Sequence, residues 1–238
     1  MVAGVTQTPP HTLDHIELLK PLGAPARAAT VKLCRWRRFA AGEQILDQQG
    51  ETRDVCFIVQ GRVRVVNHAA SGREISFDDI PAGGMVGEMA AVDGGPRSAS
   101  VIALDEGTLI AFLAPKPFLE LVTGHPDLAL AVMRRLSGIA RRATDRVIDL
   151  STLGAHNRVH AELLRLARAH ERPDNTALID PLPPHADLAA RVSTTRETVT
   201  RVLGELTRDA LVEKRGNALL VRDLARLEAL VEDVRAGL

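Results

Sequence analysis

Apolar residues follow three different spacings along the chain. From Arg35 to about Leu113, short β-rich runs are broken by turn residues about every eight to twelve positions. Val55–Val59 ends at Gly61, and Arg62–Val66 runs to a turn around Ser71 and Gly72. Glu74–Asp79, Ser98–Leu104 and Thr108–Leu113 follow, with Gly83 and Gly84 between the first two. Many short strands without long helices between them predict an antiparallel barrel or jelly roll. Ahead of it, residues 1–12 read as a tail, and Leu13 to Leu33 has helical spacing broken by Pro21 and Pro25.

The period changes near Pro117. Leu128, Val132, Leu136, Ile139, Ala143, Val147, Leu150 and Leu153 recur every three or four positions, and Arg134, Arg135, Arg141, Arg142 and Arg146 take the other faces. This predicts one long amphipathic helix. Its seam could cover the helix's own sheet, but it continues beyond what one small barrel needs, which favours pairing with a second copy.

Residues 158–238 form a third section. A helix from Arg158 to His170 precedes a loop, Glu171–Pro184, that holds four prolines. Two amphipathic helices, His185–Val192 and Thr194–Asp209, are separated by a very short turn. Two β-type runs flank Arg215-Gly216-Asn217, and a closing helix spans Asp223 to about Val234. Two helices, a tight turn and a hairpin make a winged helix-turn-helix. The predicted class is α+β, divided into 1–116 (β-barrel or jelly roll), 117–154 (long helix) and 155–238 (winged helix-turn-helix).

Composition narrows the functional classes. Apolar residues at 45% and charged residues at 25% describe a chain able to bury cores. Aromatics at 3% leave those cores to Leu, Val, Ile and Ala. Thirty basic residues balance thirty acidic ones, so any hold on nucleic acid depends on local charge placement. No basic-then-apolar leader opens the chain, and no uncharged stretch reaches the roughly 20 residues of a membrane helix, so a cytoplasmic protein is expected. Cys34 and Cys56 lack CxxC spacing and read as plain buried thiols.

Gly87 to Ser100 carries the most specific chemistry. Gly94, Gly95, Ser98 and Ala99 permit close backbone approach, so N–H groups can face an anion. Arg97 offers a planar fork of donors suited to phosphate oxygens. Glu88 is an acceptor, wrong for phosphate and right for a ribose hydroxyl. Donors and an acceptor at fixed separation describe a sugar phosphate, although Glu88 and Arg97 could instead form a simple loop ion pair.

Gly87, Glu88, Arg97, Ser98 and Ala99 resemble the phosphate-binding cassette of cyclic-nucleotide-binding domains, shared by the cyclic AMP receptor protein/FNR (Crp/Fnr) superfamily of bacterial regulators and by kinase regulatory subunits. The resemblance implies that Arg97 and Ser98 meet the phosphate oxygens and Glu88 the ribose 2′-hydroxyl. Gly87, Met89 and Ala99 would line the site. It also places Ala143 and Thr144 where a threonine and a serine contact the purine from the long helix. One polar group is kept and one is missing; cyclic AMP is preferred as effector, with cyclic GMP as the alternative.

The second motif is Thr194 to Leu203. Thr194 or Thr195 can cap a helix, and Val199, Val202, Leu203 and Leu206 face inward. Arg196, Glu197, Thr200 and Arg201 are left outward on the N-terminal half, the part that enters a major groove. Arginine reads guanine with two bonds, and glutamate accepts from cytosine N4. The segment resembles the recognition helix of the same superfamily. By that resemblance Arg196, Glu197 and Arg201 read TGTGA-type half-sites, and Thr195 and His185 touch phosphate. Ser193 stands where the family turn usually has glycine.

The remaining candidates are weak. His11 and His15, and His156 and His160, have i, i+4 spacing without further ligands nearby, and read as exposed helix residues. No metal is expected. No Ser–His–Asp order, metalloprotease motif or GxxxxGK[ST] loop occurs, so no enzyme is expected. The resemblance, over roughly Leu13 to Val234, implies a homodimeric regulator with double-stranded DNA and RNA polymerase as partners and no membrane. The rivals are a regulator with another effector or none, and a nucleotide-binding module that controls a protein partner.

Overall fold

A computed structural model describes residues 11–68 and 74–236. The expected turn at Ser71–Gly72 and most of the N-terminal tail lie outside the described residues. The described residues fall into two compact units, one within 11–67 and 77–138, the other within 139–236 with 68 and 74–76.

The first unit opens with a 3-10 turn, Glu17–Leu19, and helix α1, Ala24–Leu33. Pro25 lies in the first turn of α1, so it starts a helix where the sequence spacing suggested a break. Eight strands follow: β1 (Arg35–Phe39), β2 (Gln44–Leu46), β3 (Val55–Gln60), β4 (Arg62–His68), β5 (Glu74–Pro81), β6 (Met85–Val86), β7 (Ser100–Ala103) and β8 (Thr108–Leu113). They form two four-stranded sheets, β1-β8-β3-β6 and β2-β7-β4-β5. The result is a jelly-roll-like sandwich and not a single closed barrel.

The unbroken apolar run of β3 has a physical cause. Cys56 and Ile58 face the second sheet, in a core with Phe39, Val63, Val101 and Ile110. Val55, Phe57 and Val59 face the other way, against Leu13–Leu22, Phe118, Leu128 and Val132. A strand covered on both faces loses the usual alternation, because neither face meets water. Short helix α2 (Glu88–Asp93) interrupts the sandwich, and α3 (Pro115–Gly124) follows β8.

Helix α4 spans Pro126–Thr152. The expected single seam divides: Leu128 and Val132 are buried, with Leu136 beside them, in the first unit's own core. Another stripe stays open, made of Leu130, Met133, Ser137, Ala140, Thr144 and Val147 at alternating spacings of three and four. Met133 and Val147 are 56% and 63% exposed.

The second unit packs α5 (Ala155–Arg168), β9 (Ala177–Ile179), α6 (His185–Arg191), α7 (Arg196–Arg208), the hairpin β10 (Val212–Arg215) and β11 (Ala218–Val221), and α8 (Leu224–Ala236). Its core joins Leu163, Leu188, Val199, Val202, Leu206, Val221 and Leu227. Strand β9, within the proline-rich segment read as loop, adds to β11 and completes a three-stranded sheet.

Candidate functional site

The cassette is built around one glycine. Gly87 adopts φ +86 at the start of α2; a Cβ there would lie 2.6 Å from Arg97 Nη1 and 2.8 Å from Asp54 O. Only glycine supplies both that backbone and that clearance. It swings Glu88 inward, leaving the residue 4% exposed. The Glu88 carboxylate accepts from Arg135 Nε at 2.7 Å, and Arg135 Nη2 donates to Met85 O at 2.6 Å.

Arg97 is equally buried, at 4% exposure. Its Nη1 donates to Gly87 O at 3.2 Å, and its Nη2 to Asp54 O at 2.9 Å and to Thr52 Oγ1 at 3.4 Å. Nε has no partner. The nearby Asp54 carboxylate bonds to Arg35 at 2.5 Å instead. Burial draws the Arg97 pKa below its usual value. A charged fork thus sits in the protein among neutral oxygens with no carboxylate bonded to it among the described residues, an arrangement that an incoming anion would relieve. Ser98 is exposed and Ala99 buried on the stretch entering β7, and Met89 on α2 is 39% exposed.

The two cassette side chains do not form the simple loop ion pair. Glu88 is committed to Arg135, which sequence reasoning named only as one of several arginines. Its signal was positional, since it lies three residues after Val132, on the side of α4 that packs into its own unit. Thr144 is exposed, and its hydroxyl donates to Ala140 O at 3.1 Å.

In the second unit, Thr195 caps α7, its Oγ1 accepting from Thr198 N at 3.3 Å. Arg196, Glu197, Thr200 and Arg201 are exposed, while Val199, Val202, Leu203 and Leu206 are buried. Glu197 lies in the first turn, where its own backbone N–H and then the Thr195 hydroxyl lower its pKa. Thr200 Oγ1 donates to Arg196 O at 3.0 Å and shares a 2.8 Å hydrogen bond with His185 Nδ1, which ties α6 to α7. Partial burial, then Arg196 and Lys214, lower the His185 pKa. Ser193 holds φ +52, so serine here takes the left-handed geometry for which glycine is better suited.

Of the histidine pairs, His11 and His15 are exposed as expected but lie outside any helix, whereas His156 and His160 lie on α5 and are not exposed. His160 is buried, its Nδ1 unpartnered and its pKa drawn down to about 4 by desolvation and then by His156. His156 Nε2 lies 2.8 Å from Glu205 Oε2, and His11 stacks on Trp36. No cluster of three or more metal-ligating groups occurs among the described residues. Cys56 is fully buried; Cys34 is only partly so, yet desolvation pushes its thiol up to about 12. No helix among the described residues is long and apolar enough to cross a membrane.

Residues 36–125 match the cyclic nucleotide-binding domain family, and residues 157–230 match the Crp-like helix-turn-helix domain family. The "Cyclic AMP receptor protein" of Thermus thermophilus is 32% identical over 199 residues, covering 82% of this chain and 87% of that one. Two solved structures share the fold. One is a CooA mutant from Carboxydothermus hydrogenoformans (TM-score 0.73, 21% identity, 84% of this chain and 88% of that one). The other is the c-di-GMP responsive regulator CLP of Xanthomonas campestris (TM-score 0.67, 19% identity, 84% and 99%). With both domain families matched in one chain and a relative 32% identical over 82% of it, the chain belongs to the Crp/Fnr superfamily of bacterial transcription regulators.

Proposed function

We propose that this regulator is a homodimer that senses a cyclic nucleotide, cyclic AMP before cyclic GMP, and binds palindromic DNA with TGTGA-type half-sites. The observation that carries the sensing is the buried Arg97 guanidinium, bonded to no carboxylate among the described residues and placed just after the short helix that Glu88 begins. In this reading the cyclic phosphate takes the Arg97 fork and Ser98, and the ribose 2′-hydroxyl donates to Glu88. Gly87, Met89 and Ala99 line the pocket, and Thr144 meets the purine. The open 3–4 stripe of α4 supports a second copy as its occupant, because that spacing is the seam of a two-helix coil. Two recognition helices about 34 Å apart would then present Arg196, Glu197 and Arg201 to base edges, with Thr195, Thr200 and His185 beside the backbone. The nucleotide shifts the population toward that spacing. RNA polymerase is the expected further partner and the cytoplasm the expected location.

Titration calorimetry with each nucleotide tests the sensor. Saturable heat with cyclic AMP is expected; no heat and no thermal stabilisation at millimolar nucleotide would overturn it. A mobility shift on TGTGA palindromes tests the DNA half, and equal binding to scrambled duplex would refute it. A second reading, a different effector, is favoured by the Glu88–Arg135 bond and by Ala143 at one purine-contact position. Cyclic di-GMP in the same titration distinguishes it.

A further inference from the structure

The last carbonyls of a helix have no partner inside it. At and just beyond the end of α6, three consecutive carbonyls, on Arg191, Val192 and Ser193, are taken by arginines from two other helices. Arg158 of α5 donates through Nε to Val192 O at 2.8 Å and through Nη2 to Ser193 O at 3.1 Å. Arg146 of α4 donates to Arg191 O. Arg158 has a third bond, from Nη1 to Leu153 O at 2.8 Å. Leu153 lies in the joint between α4, which ends at Thr152, and α5, which begins at Ala155.

The turn gripped in this way aims α7. Ser193 at φ +52 reverses the chain, Thr194 N donates back to Ala189 O, and Thr195 caps the recognition helix two residues later. Any tilt of that turn is carried directly into the direction of Arg196 and Arg201. One rigid guanidinium therefore spans the α4–α5 joint and the turn at once, which a lysine's single ammonium on a flexible stem cannot do.

We infer that Arg158, aided by Arg146, is a positioning residue that sets the recognition helix from the α4–α5 joint and so carries base discrimination without touching DNA. The inference rests on the DNA-binding reading. Its test is the ratio of affinities, by fluorescence anisotropy of the full chain, for a duplex selected by the wild-type protein from a random pool and for a scrambled duplex. Arg158→Ala is expected to lower that ratio about tenfold or more while scrambled-duplex affinity holds, and Arg158→Lys should recover part of the loss. A mere helix cap would lower the melting temperature and leave the ratio unchanged, which would overturn the inference. Should Arg158→Ala fail to fold, Arg158→Lys and Arg146→Met carry the test: a fall of about threefold or more in each supports the inference, and unchanged ratios in both refute it. If wild-type protein itself shows no discrimination, it is the DNA-binding reading that has failed.

Discussion

Replacing Arg97 by methionine separates a structural arginine from one held ready for an anion. Methionine approximates the length of the side chain and removes the charge. In the free protein the guanidinium makes one good hydrogen bond, 2.9 Å to Asp54 O, and two long ones, at 3.2 and 3.4 Å. Bonds from a charged donor contribute about 1.5–3 kcal/mol when well made. Burying an ion costs several kcal/mol, and among the described residues no carboxylate bonds to Arg97 to offset it. The two sides nearly cancel. Of the two carbonyls left behind, on Gly87 and Asp54, the residue Asp54 lines with Thr52 a cleft of about 340 Å³ from which water can replace the lost donor. Without nucleotide, the variant should therefore melt within roughly 5 °C of wild type. With nucleotide at a hundred times its dissociation constant, wild type gains about 2.7 kcal/mol, roughly 8 °C at about 3 °C per kcal/mol. The variant loses a charge-assisted phosphate contact of about 3 kcal/mol, roughly 100-fold in affinity, so its rise should fall to about 1 °C. Differential scanning fluorimetry with and without cyclic AMP reads both quantities. A variant that still gains the full rise, or that collapses before nucleotide is added, would refute the reasoning.

Other outcomes follow from single sites. Ser193→Gly removes the left-handed penalty but loosens the unfolded chain, so a net gain of up to about 1 kcal/mol is expected in urea unfolding of the second unit; a loss would mean that the serine side chain stabilises the turn. His160 has a folded pKa near 4 against 6.5 unfolded, so its contribution is fully present above pH 6.5 and disappears as pH falls toward 4. The urea midpoint should reflect a loss of about 2 kcal/mol between pH 7 and pH 5, and His160→Leu should flatten that slope; parallel slopes would exclude His160 as the cause. Val147→Glu puts like charges on the open stripe and should yield monomers in sedimentation velocity, whereas an unchanged dimer would place the interface elsewhere.

Local spacing made much of the architecture readable. The hairpin was legible from its tight turn at Gly216 and the inward face of α7 from its period, whereas the long helix is shorter than the expected 117–154: α3 ends at Gly124, Pro126 opens α4, and Leu153 falls just beyond its end. Helix α2 was missed because six residues hold too few turns to show a period, and β9 because prolines on both sides of Ala177–Ile179 outweigh three apolar residues. The seam of α4 misled for another reason. Its two apolar stripes lie close together on one cylinder, and only packing decides that Leu128 and Val132 go into the protomer's own core while Met133 and Val147 are left uncovered by it. The cassette was legible by residue type and spacing. The bond from Arg135 to Glu88 was not, because it joins positions 47 apart in the chain.

Formal neutrality is the remaining obstacle to a DNA-binding protein, and the pairing of charges resolves it. Glu213 takes Arg215 and Arg222, Glu228 takes Arg168, and Glu162 takes Arg165 and Arg191. On the recognition side, Arg196, Arg201 and Lys214 are exposed with no bonded carboxylate among the described residues, and Lys214 shares a small cleft with His185. Against these three cations the outward face of α7 carries one exposed carboxylate, Glu197, so the proposed DNA-facing surface has a local positive excess that the net charge does not show. Affinity should therefore fall steeply with salt despite a net charge of zero, at about 0.9 log units per phosphate contact for each log unit of salt. If Lys214 contacts one phosphate in each protomer of a dimer, Lys214→Ala should reduce the slope by about 2 and weaken selected and scrambled duplexes alike. Arg201→Ala should instead narrow the difference between them, by about 1–3 kcal/mol. A Lys214→Ala slope equal to wild type would show that the wing lies off the backbone, and the docking of α7 proposed above would be wrong.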